Sequence, residues 1–358
     1  MKKILCYIDE LGSGGAERQI TYLAVLLKQA GYDVKVYCYH PIYFYEYVLA
    51  DNNIELIKID LKKNNYWYKL KNTYKVVTEY NIDTLIAYSV GPVMIASIVK
   101  LLKPQIRLIA SERNTTQQLN KRERIKFALL RFADYIVPNS HTQNRFIQEH
   151  YANLNKKTIT ITNYIDTDKF HPSELPISNS VPRFIVAARH SQQKNVPTFI
   201  EAINIAKKKG AVFIVDWYGE NGGGNKEAHV KMAEAYGVSD VLRFHPSVKD
   251  IENYYREADF FCLPSLYEGF PNVICEAMSS GLPVICSNVC DNPFLIKDGI
   301  NGFLFDPHSP EDIAEVIIKM LSISLEERKK MGAANRKESL RLFGKEAFLS
   351  NYVKLTEA

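Results

Sequence analysis

The sequence predicts an α/β chain built as two doubly wound, Rossmann-like parallel-sheet domains, and three observations carry that expectation. The 358 residues exceed the roughly 250–300 that one hydrophobic core organises. Short β-branched or apolar runs alternate with stretches of helical period, and the alternation occurs twice. It pauses once, across residues 167–182, where Pro172, Pro176, Pro182 and three serines gather. The expected division is residues 1–166, a linker at 167–182, residues 183–340, and a C-terminal helix at 341–358.

In order along the first half, strands are expected at 3–8, 34–39, 54–59, 84–88, 107–110, 135–138 and 158–162. Helices are expected between them, among others at 17–30, 68–80 and 122–133. The second half places strands at 183–188, 212–217, 241–244, 260–263, 283–287 and 302–305. After Asp306 only helical signal remains, at 310–321, 325–343 and 345–356. Strand–helix–strand at this spacing implies parallel sheets with crossover helices. Two such domains are expected to face a central cleft, and ligands of open parallel sheets bind at the carboxyl ends of strands. Function should therefore lie on the loops that follow strands.

Composition narrows the class. With 46% hydrophobic and 24% charged residues the chain is an ordinary globular one, not disordered, collagen-like or a disulfide scaffold. Met1-Lys2-Lys3-Ile4 runs into Asp9-Glu10 without a small-residue cleavage site. The longest uncharged stretch, residues 84–99, is 16 residues, is broken by Gly91-Pro92, and is short of the ~20 a spanning helix needs. Cys6, Cys38, Cys262, Cys275, Cys286 and Cys290 contain no CxxC pair, so reduced core thiols are expected. The expectation is a soluble cytoplasmic protein. Its net charge of +5 is uneven: residues 1–170 hold 24 basic and 16 acidic residues (+8), and the rest carries −3.

Three strand-end loops carry the chemistry. Gly12-Ser13-Gly14-Gly15-Ala16-Glu17 follows the first strand and opens a helix, where glycines admit a ligand and free N–H groups face an anion. A dinucleotide fingerprint would require glycine at Glu17 and an acid after the second strand, which ends Tyr37-Cys38-Tyr39-His40. A tight turn without a ligand stays open for this loop. Arg189 and Lys194, in Ala188-Arg189-His190-Ser191-Gln192-Gln193-Lys194-Asn195, place two cations at a strand end, which suits a diphosphate. A solvated basic loop is the alternative. Glu268-Gly269-Phe270-Pro271-Asn272-Val273-Ile274-Cys275-Glu276 predicts a helix starting near Phe270, with Pro271 as its first residue. The N–H groups of Asn272 and Val273 would then hold a phosphate, while Glu268 and Glu276 accept sugar hydroxyls. Two surface glutamates at a helix start are the plainer alternative.

Together these loops resemble glycosyltransferase family 4, whose members have the two-Rossmann GT-B fold. The specific stretch runs from Arg256-Glu257-Ala258-Asp259 through Leu263-Pro264-Ser265-Leu266-Tyr267 and Glu268-Gly269-Phe270-Pro271-Asn272-Val273 to Glu276-Ala277-Met278. Gly281-Leu282-Pro283-Val284-Ile285, Gly299-Ile300-Asn301-Gly302-Phe303-Leu304, Gly14-Gly15-Ala16-Glu17-Arg18 and Asn163-Tyr164-Ile165-Asp166 occur in the family's order. The resemblance covers nearly the whole chain. It implies a retaining, metal-independent transfer of a sugar from a nucleoside diphosphate sugar, with no cofactor. Arg189 and Lys194 would hold the diphosphate and stabilise it as it leaves. Glu268 would contact the donor sugar and Glu276 the ribose, with Gly269, Phe270, Asn272 and Val273 around them. Gly14 and Gly15 would bring backbone to the donor, and Ser247 and Val248 would meet the base. The final helix would cross back to the first domain. Asp166-Thr167-Asp168 spells D-x-D, the metal motif of the other large glycosyltransferase fold, but here it begins the linker and reads as a turn.

One departure concerns the acceptor. Where many members carry a histidine, this chain has Ser111-Glu112-Arg113-Asn114. Arg113 would stand at the histidine position, and Glu112 could take a hydroxyl proton; an ion pair shaping the loop is the alternative. The basic first half points to the acceptor. Residues 120–132 mix cations with Ile, Phe and Leu as an interfacial helix does, and aromatic clusters lie at 43–47 and 66–69. Contact with an anionic membrane leaflet carrying a lipid-linked saccharide is therefore expected, an ordinary solvated basic helix being the alternative. Rival classes are a nucleotide-sugar 2-epimerase on the same scaffold, a binding-only relative without activity, and a nucleic-acid binder. No nucleic-acid motif supports the last, so no nucleic-acid partner is expected.

Overall fold

The computed structural model describes residues 1–59, 65–113, 116, 119–174, 179–223 and 225–358. Asn114, quoted above with the acceptor loop, and Pro176 of the expected linker lie outside them. The chain divides into two compact units: residues 1–164 with 345–358, and residues 165–344.

The first unit contains β1 (Lys3–Ile8), α1 (Gly15–Gln29), β2 (Asp33–Cys38), α2 (Glu46–Asp51), β3 (Glu55–Lys58), α3 (Tyr66–Glu79), β4 (Thr84–Tyr88), α4 (Val90–Leu102), β5 (Arg107–Glu112), α5 (Lys121–Leu130), β6 (Tyr135–Pro138) and α6 (His141–His150). The second unit contains β7 (Arg183–Ala187), α7 (Val196–Lys208), β8 (Ile214–Tyr218), α8 (Lys226–Ala235), β9 (Leu242–His245), α9 (Ile251–Glu257), β10 (Phe260–Leu263), α10 (Asn272–Ser279), β11 (Val284–Ser287), α11 (Asn292–Leu295), β12 (Gly302–Phe305), α12 (Pro310–Ser322) and α13 (Leu325–Phe343). Helix α14 (Lys345–Glu357) returns to the first unit.

Each unit holds a six-stranded, fully parallel sheet, ordered β3-β2-β1-β4-β5-β6 and β12-β11-β10-β7-β8-β9. Chain order reverses between β1 and β4 in the first sheet and between β10 and β7 in the second. These reversals are where crossover helices leave to opposite faces and a crevice opens at the strand ends. In the first unit α1 and α14 cover one face, burying Ile20, Leu23, Leu27, Phe348, Tyr352 and Leu355. Helices α3, α4, α5 and α6 cover the other, burying Val77, Val93, Val99, Phe127 and Ile147. The Tyr352 hydroxyl lies 2.8 Å from that of Tyr88 and ties α14 to the sheet.

Local chemistry starts the helices. Asn65, Asn120, Ser140, Ser309 and Ser324 each accept a backbone N–H of the first turn they cap, and Ser324 with Glu327 closes a full capping box. Residues 158–162 were expected as a seventh strand but form none. Ile159 and Ile161 donate to Ile136 and Pro138, yet Pro138 has no N–H to return, and the pairing stops at one bridge. Helix α10 begins at Asn272 with Pro271 as its N-cap, one residue later than Pro271 as first helical residue would give. Helix α2 begins within the 43–47 aromatic stretch. Residues 167–174 and 179–182, expected as linker, belong to the second unit, as do Ile165 and Asp166, expected at the end of the first domain. All six cysteines are free; five are buried and Cys290 is half-buried. Among the described residues no helix is long and apolar enough to cross a membrane.

Candidate functional site

In the second unit the loops after β7 and β10 rise from neighbouring strands on either side of the order reversal. They are joined along their length. Leu266 N–H donates to the Gln193 carbonyl at 2.8 Å, and the Gln193 amide donates to the Tyr267 carbonyl at 2.8 Å. Lys194 Nζ meets Glu268 Oε1 at 2.5 Å, with side chains only 12% and 8% exposed. Two of the predicted site residues, 74 positions apart in sequence and on loops after neighbouring strands, therefore form one ion pair. Arg189 is exposed, and among the described residues its guanidinium forms no hydrogen bond or ion pair. An exposed guanidinium on the same loop as a structured Lys–Glu pair is suited to a dianionic group, which Arg can bind bidentately.

Supporting contacts hold this arrangement. Asn195 adopts the left-handed conformation (φ 57°, ψ 36°), which ends the short turn at Lys194 and starts α7, and its amide donates to the Pro307 carbonyl at 2.7 Å. The Glu268 backbone N–H donates to Cys290 Sγ at 3.4 Å, which ties the Glu268 loop to the loop after β11. Ser287, fully buried, donates to the Ser265 carbonyl at 2.6 Å. Gly219 follows β8, and a Cβ there would stand 1.9 Å from the Ala188 carbonyl oxygen, so only glycine lets β8 pass the root of the Arg189 loop. That carbonyl also accepts the Trp217 indole N–H at 2.7 Å.

The other donor-side candidates are placed as follows. Gly269 is half-buried, and Phe270 is buried against Phe343. The Asn272 N–H turns back to the Phe270 carbonyl at 3.0 Å rather than outward, while Val273 occupies the first turn of α10. Glu276 is buried one turn further, 3.5 Å from the Tyr255 hydroxyl. Ser247 is exposed and donates to Glu220 Oε1 at 3.0 Å; Val248 is half-buried beside it. Asp166 accepts the N–H groups of Asp168 and Lys169 at 3.2 and 3.0 Å, so the D-x-D stretch is a turn.

Several site residues escaped the sequence reading. Glu220 ties the loop after β9 to the loop after β7: its side chain accepts Ser247, and its carbonyl accepts the His190 N–H at 2.9 Å. Its position directly after a strand was the available signal. His190, fully buried between Arg189 and Lys194, meets His229 of α8 with Nδ1 atoms 3.1 Å apart, against Trp217 and Phe244. Burial pushes His190 down to about 4 and His229 below its ordinary value. No sequence pattern links two histidines 39 residues apart.

In the first unit the loop after β1 leads into α1, which begins at Gly15 with Gly14 as its N-cap. A side chain at Gly14 would meet the Glu17 carboxylate, whose pKa is raised first by desolvation. The acceptor candidates are engaged internally. Glu112 is 4% exposed and pairs with Lys126 at 2.5 Å, and Lys126 also reaches Glu123 at 2.7 Å. This corrects the picture of Glu112 as an open base: its charge is spent on a buried lysine, not on Arg113. Arg113 instead donates to Asn163 and lies over the Tyr88 ring, 4.5 Å from its centroid. Helix α5 also differs from an interfacial helix. Phe127 and Leu130 enter the core with Lys126, leaving Lys121, Arg122, Arg124 and Ile125 outside.

Comparison with known proteins agrees with the two-unit fold. Residues 13–169 match the family model for glycosyltransferase family 4, and residues 167–338 match that for glycosyl transferases group 1. A glycosyltransferase of Haemophilus influenzae is 28% identical over 340 residues, 88% of this chain and 89% of its own. The amylovoran biosynthesis glycosyltransferase AmsK of Erwinia amylovora is 32% identical over 166 residues, 44% of this chain and 40% of its own. The crystal structure of Anabaena HepE in complex with UDP superposes with a TM-score of 0.86 at 19% identity, covering all of both chains.

Proposed function

The chain belongs to glycosyltransferase family 4, a glycosyltransferase of GT-B fold, and from that premise we propose that it moves a sugar from a UDP-sugar to a saccharide hydroxyl. The observation that carries the reading is the Lys194–Glu268 pair spanning the strand-order reversal, on the loop that also carries the exposed Arg189, unpaired among the described residues. Arg189 and Lys194 supply positive charge to the diphosphate, and Glu268 accepts a hydroxyl of the donor sugar. As the bond from the anomeric carbon to the diphosphate oxygen breaks, negative charge gathers on that oxygen and the two cations stabilise it. The acceptor oxygen bonds to the anomeric carbon, and its proton leaves with the nucleoside diphosphate. With these cations in place the reading is of a metal-independent transfer, and the family resemblance supports retention of configuration.

The test is calorimetry with UDP, followed by thermal shift against a panel of nucleotide sugars, since a true donor stabilises by mass action. Arg189→Ala, at an exposed site without partners, should leave the unfolding midpoint unchanged and weaken UDP binding about tenfold or more. If no nucleotide or nucleotide sugar binds, the reading is wrong.

The acceptor we read as a lipid-linked saccharide of surface-polysaccharide assembly, met at the inner face of the membrane. Likeness to AmsK supports the polysaccharide setting. A surface of the first unit supports the membrane: α3, α4 and α5 share one face and, apart from the buried Lys126, carry seven Lys or Arg against two Glu. On it Trp67 (78% exposed), Tyr74 and Leu102 surround a groove of about 330 Å³ with Lys71. Aromatic rings within a cationic field suit an anionic headgroup layer. Flotation with anionic vesicles should carry the protein, and Trp67→Ser should reduce it; no flotation on anionic or neutral vesicles would end this part of the reading.

A further inference from the structure

Glu112 is bound to Lys126 and Arg113 to Asn163, so both acceptor-side candidates are engaged inside the first unit, although Arg113 Nε has no hydrogen-bond partner among the described residues. A different carboxylate stands open at the carboxyl end of the first sheet. Asp9 follows β1 directly, and Gly91 lies in the first turn of α4, just after β4. These are the two strands between which chain order reverses.

Asp9 is held from two sides. The Tyr39 hydroxyl donates to Oδ1. A Cβ at Gly91 would stand 3.0 Å from Oδ1 and 2.7 Å from the Tyr39 hydroxyl, so glycine is what leaves room for the carboxylate. The residue before α4, Ser89, has φ 72° and ψ 155°, a conformation nearly confined to glycine, which the surrounding fold must impose. Among the described residues nothing hydrogen-bonds Asp9 Oδ2, and Asp9 is only half-buried. Charged and titratable groups face it from three directions. The Lys69 ammonium of α3 lies 4.0 Å from the Tyr39 ring centroid, and among the described residues it pairs with no carboxylate. The His40 ring packs edge-on to Tyr39, and Glu10 adjoins in sequence. Burial pushes the Asp9 carboxyl above its ordinary range, and the Tyr39 bond, His40 and Lys69 oppose that push. A carboxylate partly stripped of water, with one oxygen unmet, is stabilised by a ligand that brings a hydroxyl donor.

We propose that Asp9, braced by Tyr39 and Gly91, is the group with which the first unit accepts a hydroxyl of the acceptor saccharide, Lys69 donating to a neighbouring hydroxyl. The proposal rests on the glycosyl-transfer reading above. Its ligand class is a polyol with vicinal hydroxyls, for which the carboxylate is an acceptor and the ammonium a donor. Asp9 is thereby an acceptor-recognition residue, distinct from the donor loops of the second unit.

The test uses the full chain saturated with UDP and titrated with methyl α- and β-glycosides of glucose, galactose and mannose, followed by saturation-transfer NMR. The wild-type protein should bind at least one of them. Asp9→Asn keeps an oxygen for Tyr39 and should weaken that glycoside about tenfold, with UDP affinity within twofold of wild type. Gly91→Ala alters no charge and should weaken the same glycoside comparably, because its methyl group occupies the space of the carboxylate. Unchanged glycoside affinity in both variants overturns the proposal. So does a parallel loss of UDP, which would indicate a general structural role, and so does failure of the wild-type protein to bind any glycoside while UDP binds. Failure of the wild-type protein to bind UDP would remove the donor reading itself.

Discussion

Replacing Lys194 with methionine breaks the ion pair that joins the loops after β7 and β10. The charges stand 2.5 Å apart on side chains 12% and 8% exposed. At an effective dielectric near 20 their gross attraction is about 6–7 kcal/mol. Desolvation of both ions offsets much of it, so the single variant should lose about 3–5 kcal/mol, the cost of a buried charge left without its partner. Gln193 Nε2, at 3.5 Å from Glu268 Oε2, is too distant to replace the ammonium. Lys194→Met combined with Glu268→Gln removes both charges and should return to within about 1–2 kcal/mol of wild type. The assay is urea unfolding in a Trp67→Phe background, leaving Trp217, fully buried in the second unit, as the fluorescent reporter. A loss below about 1 kcal/mol in the single variant, or a double variant as unstable as the sum of its parts, would refute the reasoning. The same pair makes a binding prediction: Glu268→Gln frees the Lys194 ammonium for the diphosphate and should tighten UDP about threefold or more, although sugar transfer falls.

Gly219→Ala forces a methyl group toward the Ala188 carbonyl, so it should cost about 1–3 kcal/mol and weaken UDP through displacement of the Arg189 loop; unchanged calorimetry would count against that coupling. Lys126→Met should lose about 3–5 kcal/mol in thermal unfolding, whereas Arg124→Ala, on the exposed side of α5, should stay within about 0.5 kcal/mol. Burial holds the Glu112 carboxyl above its ordinary range, so its ionisation works against the fold, and the Lys126→Met deficit should shrink as pH falls. His190, pushed down to about 4 in the fold against about 6.5 in the unfolded chain, takes its proton more readily when unfolded. Stability should therefore fall progressively between about pH 6.5 and 4; His190→Phe should flatten that slope, and an unaltered slope would exclude the pair as its source.

Much of this was legible in the sequence because it depends on local pattern. Strands such as Lys3–Ile8, Thr84–Tyr88 and Phe260–Leu263 are short apolar runs bounded by turns, and helix α13 over Leu325–Phe343 carries its own capping box. Arg189, Lys194 and Glu268 could be named because strand-end loops are where parallel sheets bind ligands. The failures have a common cause. Residues 158–162 read as a strand by composition, but pairing depends on the edge they meet, and Pro138 offers no N–H there. Helix α5 reads as interfacial by its mixture of cations and apolar residues, but which side faces the core is set by α4 and β5.

The sequence by itself determined two parallel α/β units, the strand ends that carry chemistry, and the residue types placed there. Hydrophobic period and turn chemistry act over a few residues, so a linear reading captures them. The tertiary structure alone decided which of those residues meet. It set Lys194 against Glu268 across 74 positions, closed Glu112 onto Lys126, and left Asp9 open beside Tyr39 and Gly91. The basic surplus of the first half likewise divides only in three dimensions, with Lys126 neutralised in the core while Arg122 and Arg124 remain on the surface. Charge and hydrogen bonding act through space, and the distances that decide them exist only once the strands are ordered in their sheets.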